Sequence, residues 1–139
     1  MRKRPVLRRG AAVVELAALA PVLFLLIFGM IEIGRAVMVQ HLLTNAARDG
    51  ARAAVLEGAT ASSVSSDVTS YLTSAAVSRV TVTINPSDLS TAAGGSPVTV
   101  SASVPFSAVS WLPAPWFMGS ATLDASVTMR REVYTSSSP

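Results

Sequence analysis

The sequence predicts an α+β protein: a long N-terminal transmembrane and amphipathic helix, a short second helix, then a small three-stranded antiparallel sheet. Three observations predict it. Ala11 to Ile31 is a 21-residue apolar run with one charge, Glu15. Apolar and small residues then recur every three to four positions to about residue 57, the spacing of a helix face. From Val80 onward the apolar period falls to two, the signature of strands with one covered face.

At about 1.5 Å per residue the apolar run spans roughly 31 Å, the thickness of a bilayer core. Five of the 11 basic residues (Arg2, Lys3, Arg4, Arg8, Arg9) precede it and no acid does. The positive-inside bias therefore predicts a membrane-anchored chain with a cytoplasmic N-terminus and an extracytoplasmic C-terminal part. Ala18-Leu19-Ala20 lies in the middle of the run, a poor place for a secretory cleavage site, which normally closes the apolar region. Arg8-Arg9 reads as part of a basic leader rather than as a twin-arginine signal. Glu15 is the unusual feature, because a carboxylate in an apolar helix costs roughly 2.5 to 3.5 kcal/mol at the bilayer centre and needs a partner or a shallow depth. Pro21 removes one helical hydrogen bond in the same half, so a kink or local loosening is expected there.

Beyond the run one helix is expected to continue to about residue 57, the segment 11–31 in lipid and 32–57 outside, with Gly58 supplying the stop. Ala46, Gly50 and Ala54, four apart, form a small-residue ridge that lets another helix approach closely. Glu32 with Arg35, and Asp49 with Arg52, have the i,i+3 spacing of ion pairs on a solvated face. His41, the chain's single histidine, has no second metal-type ligand nearby and reads as a surface or packing residue.

Residues 58–66 read as a Ser/Thr/Ala linker, and Asp67 to Val77 as a short helix capped by Ser66 or Asp67, opening a small α+β domain over 67–134. Val80, Val82 and Ile84, then Val98, Val100, Ala102 and Val104, then Leu123, Ala125, Val127 and Met129 alternate with polar neighbours and give three strands. Between the second and third strands, Trp111, Trp116 and Phe117 stand among prolines that forbid a central strand. This loop either meets another subunit or the outer bilayer surface, or closes the end of the core as a flap. Residues 135–139 form a polar tail expected to be mobile.

Composition narrows the function. Subtracting the anchor leaves about 80 residues for an exported fold, near the lower limit for a self-sufficient core. The pI near 10.2 resides in the leader: removing residues 1–10 leaves six basic against eight acidic residues, a net charge of −2. That removes the main support for a nucleic-acid partner. There is no cysteine, hence no disulfide and no thiolate metal site. No nucleophile motif, phosphate-cradling glycine loop or paired histidine occurs, so no catalytic residue, cofactor, metal or small-molecule substrate is assigned and the chain reads as a non-enzyme.

The order basic leader, Gly10, four apolar residues and Glu15, followed by Pro21, the Gly29 to Arg35 exit (Gly-x-x-Glu-x-Gly-Arg) and the polar run Thr44 to Arg52, resembles the TadE-like pseudopilins of tight-adherence (Tad) pilus systems. The resemblance covers Arg8 to Ala54, 47 of 139 residues. It implies a class III signal cut by a prepilin peptidase between Gly10 and Ala11, releasing leader 1–10. It implies that Glu15 pairs with the first amine of a neighbouring subunit and that Pro21 serves bending or extension during packing. The implied partners are prepilin peptidase, other Tad pilins or pseudopilins, the inner-membrane assembly platform and the lipid bilayer. The implied role is that of a minor pilin or assembly factor in pilus biogenesis, adhesion and biofilm formation. Leu16 stands where major pilins of this system commonly have an aromatic, and the globular part is larger than theirs; both favour a pseudopilin. The alternative is an N-in, C-out single-pass envelope protein or binding module with no filament role.

Overall fold

The computed structural model describes residues 8–112 and 119–131. The chain divides into two compact units, Met1–Gly34 and Arg35–Pro139, and helix α1 (Arg8–Ala54) contributes to both.

In the first unit the helix carries apolar side chains around its whole circumference and almost none is covered. Val14 is 70% exposed and Leu19 64%, and only 6% of the helix's most apolar window, of mean hydropathy 2.5, is buried. The core helix of a water-soluble protein hides such a surface against its neighbours, whereas a segment apolar all round suits a lipid environment. The unit thus fits a single-pass membrane anchor.

The second unit packs two helices on one face of a sheet. From α1, Val39, Leu43, Ala47 and Ala51 recur every four residues and are fully buried. Helix α2 (Ala61–Ser74) adds Val64, Val68 and Leu72 at the same interval. The sheet follows as β1 (Thr81–Asn85), β2 (Pro97–Pro105) and β3 (Thr122–Arg130), in the order β1-β2-β3 with both pairings antiparallel. In register, Ile84 faces Val100 and Val100 faces Val127, so one face is a continuous apolar layer and β2, the central strand, buries Val98, Val100, Ala102 and Val104 completely. The opposite face carries hydroxyls: Thr99 and Thr128 are joined at 2.8 Å, and Ser101 donates to Ser126 at 2.9 Å. Phe106, Val109 and Leu89 join the same core. The α+β class and the three alternating strands agree with the sequence reading.

Three helix boundaries differ from it. Helix α1 ends at Ala54 rather than near residue 57, and the turn that follows contains Gly58 at φ +78°. More substantially, α2 begins at Ala61 and not at Asp67, so most of the expected linker is helix. The cap is Thr60, extended at φ −114° and ψ 147°, whose Oγ1 accepts a hydrogen bond from the Ser63 amide at 3.2 Å. Val64 then extends the buried stripe back by one turn, which repays ordering a serine-rich segment that composition alone marks as a linker. At its other end α2 stops at Ser74, short of Val77. Within it Val68 and Leu72 are buried as expected, but Tyr71 is exposed.

Candidate functional site: the amino-terminal helix

Gly10 and Ala11 lie within helical backbone, because α1 already begins at Arg8. Gly10 is exposed, and a Cβ built on it would meet nothing within 4 Å. Glu15 is exposed as well. Ala11 and Glu15 stand four positions apart, so one helical turn brings the backbone nitrogen of residue 11 and the Glu15 position onto the same face. Gly10, Ala11 and Glu15 therefore lie within two turns at the start of α1, where Gly10 and Glu15 are exposed. Pro21 falls farther along; α1 is assigned as helix without interruption on both sides of it, although its ring nitrogen cannot donate to the Ala17 carbonyl.

The second unit assigns different roles to residues that spacing alone had grouped. The ridge Ala46, Gly50 and Ala54 is occupied by the chain's own α2: Ala46 and Ala54 are buried, and a Cβ at Gly50 would lie 2.6 Å from Val68 Cγ2 and 3.2 Å from Val100 Cγ1. Beside this contact runs an open groove of about 290 Å³ whose lining includes Asp49, Asp67 and Tyr71. Among the described residues no group of three or more His, Cys, Asp or Glu side chains converges on a metal position, and His41 is exposed.

Arg35 is the residue whose role sequence reasoning missed. Spacing set it on a solvated face with Glu32, yet Glu32 is buried and Arg35 is half-buried. Arg35 Nε donates to the Val109 carbonyl at 3.2 Å and Nη2 to the Ala76 carbonyl at 3.5 Å. Its guanidinium carbon also lies 5.5 Å from the centre of the Trp111 ring, within cation–π range. Thus the first residue of the second unit fastens the loop after β2 and the end of α2. Of the three aromatic loop residues singled out in the sequence, Trp111 is 72% exposed, while Trp116 and Phe117 lie outside the described residues.

Compared with known families, residues 10–52 fit the model described as TadE-like protein. No curated protein and no solved structure matches the chain. The matched stretch begins at Gly10 and ends two residues before α1 does, so α2 and the whole sheet lie outside it. Residues 10–52 are accordingly similar to TadE-like proteins, in keeping with the resemblance carried by Gly10, Glu15, Pro21 and the Gly29 to Arg35 exit.

Proposed function

We propose that this chain is a pseudopilin, a minor subunit or assembly factor of a Tad pilus, held in the inner membrane by α1 with its N-terminus in the cytoplasm. A prepilin peptidase cuts between Gly10 and Ala11 and removes residues 1–10. The cut leaves a positive α-amino group on Ala11, one helical turn from Glu15. In the assembly, Glu15 pairs with the first amine of a neighbouring copy or related pilin, and in a water-poor setting that attraction is stronger than in water. Opposite charges there select the axial register, while burial of the uncovered apolar helix supplies most of the cohesion once subunits leave lipid. The exported α+β unit is then available to the platform and to other pilins, and the pilus serves surface adhesion and biofilm formation.

The observation that carries this reading is a coincidence of position: the TadE-like match starts at Gly10, on the apolar first part of α1, whose most apolar window is almost wholly uncovered. Mass spectrometry of the chain from its native host tests it. The expected N-terminus is Ala11, and Gly10→Leu is expected to leave the leader attached. A mature chain that retains Met1 would support an ordinary envelope anchor with no filament role.

A further inference from the structure

We infer that Trp111 is an interfacial footing, by which the second unit rests on the headgroup layer of the phospholipid bilayer. This rests on the reading of α1 as a membrane span. Arg35 stands four residues beyond Ile31, the end of the apolar run, which is about 6 Å along a helix; the headgroup layer on each side of the hydrocarbon is roughly 5 to 8 Å deep. Chain continuity therefore puts Arg35 within that layer. Trp111 is held 5.5 Å from the Arg35 guanidinium, and the same side chain binds the carbonyl of Val109, two residues earlier. Arg35 thus holds the Trp111 ring within 5.5 Å of its guanidinium, close to that layer.

The surroundings have the chemistry of that layer. Val37 and Met38 are 52% and 51% exposed, so uncovered apolar surface continues past Arg35, and Arg35 Nη1 lies 3.9 Å from Met38 Sδ. Tryptophan is favoured at the membrane surface because its ring is apolar and its N–H is polar, and a guanidinium beside it complements lipid phosphate. A large exposed indole beside a cation, with exposed Val37 and Met38 following Arg35 on the helix, is better accommodated at a headgroup boundary than in water.

The test uses the full chain carrying Trp116→Phe, which leaves Trp111 as its one tryptophan. It is reconstituted into vesicles of phosphatidylcholine and phosphatidylglycerol, and flotation establishes that it is inserted. The expected result is blue-shifted emission, quenched more by lipids brominated near the headgroup than by lipids brominated near the chain end. Water-like emission, quenched by acrylamide and indifferent to brominated lipid in vesicles that float with the protein, overturns the footing and leaves the membrane reading standing. A chain that does not float overturns that reading itself. Blue-shifted emission that ignores brominated lipid and grows with protein density assigns Trp111 to a second copy and also overturns the footing. If circular dichroism finds the Trp116→Phe chain unfolded, subtracting Trp111→Phe from wild type isolates the same signal.

Discussion

Gly50 of α1 faces Val68 of α2 so closely that a methyl group added to the glycine would lie 2.6 Å from Val68 Cγ2, with Val100 Cγ1 next at 3.2 Å. Two opposed effects govern Gly50→Ala. Alanine favours helix over glycine by about 1 kcal/mol, but overpacking a core costs about 1 to 3 kcal/mol. Val68 is β-branched and stiff in a helix, and Val100 closes the other side, so the clash wins. Thermal unfolding in detergent is expected to show a net loss of about 1 kcal/mol, or roughly 4 to 8 °C for a unit of this size. Val68→Ala is expected to be less harmful when combined with Gly50→Ala than in the wild-type chain, a coupling that a double-mutant cycle reads directly.

The close approach of a second helix was legible in the four-residue spacing of Ala46, Gly50 and Ala54; its identity was not. Linear patterns announce what one element needs from a neighbour without naming the neighbour. The same limit hid Arg35, whose carbonyl partners Val109 and Ala76 are 74 and 41 residues away in sequence. The strands were legible because alternation is local and each strand has one buried face. The start of α2 was obscured because serine and threonine suit both caps and linkers, and only the tertiary burial of Val64 decides between them. In the N-terminal segment, Gly10, Glu15 and Pro21 were legible as an ordered linear motif, which is also the part that the TadE-like match begins with.

If Thr60 is what starts α2, then Thr60→Ala removes the acceptor for the Ser63 amide and leaves that donor to water. The expected cost is about 1 kcal/mol, and Thr60→Asp, which restores an acceptor, is expected to recover most of it. Chemical denaturation of the paired variants measures both values.

Helix α2 ends in an arrangement usually built with glycine. The Val77 amide donates to the Leu72 carbonyl at 2.9 Å and the Ala76 amide to that of Thr73 at 3.0 Å, with Ala76 at φ 59°. A side chain in this left-handed conformation costs about 1 to 2 kcal/mol, partly offset because alanine has less freedom to lose on folding than glycine. Ala76→Gly is therefore expected to stabilise the second unit by about 0.5 to 1 kcal/mol, seen as a higher denaturation midpoint with an unchanged slope.

Asp88 gives the loop between β1 and β2 a sensitivity to acid. The Ser90 hydroxyl donates to its Oδ1 at 2.6 Å and the Ser90 amide at 2.9 Å, and these bonds hold the carboxyl below its ordinary value, the hydroxyl contributing most. A folded-state value below the unfolded one means that the carboxylate stabilises the fold above the unfolded pKa. That contribution is lost as pH falls through the folded value. The wild type is thus expected to exceed Asp88→Asn in stability by a constant margin at neutral pH, a margin that shrinks only in acid below the usual aspartate range. Because Asp88 is exposed the margin is expected to be small, and paired denaturation curves across pH determine it.

Glu15 tests the assembly reading apart from the processing reading. Glu15→Gln keeps the shape of the side chain and removes its charge, so insertion and cleavage after Gly10 are expected to proceed normally in the native host. A hydrogen bond to a charged group is worth about 1.5 to 3 kcal/mol, so recruitment of the cleaved chain into pilus assemblies is expected to fall roughly tenfold or more. Counting the chain in sheared surface fractions and in cross-linked membrane complexes reads that fall against the unchanged cleavage. Glu15→Asp retains the charge but withdraws it by one methylene, and is expected to fall between the two. Equal recruitment of the glutamine variant and wild type would show that the carboxylate has no pairing role, whatever the state of the N-terminus.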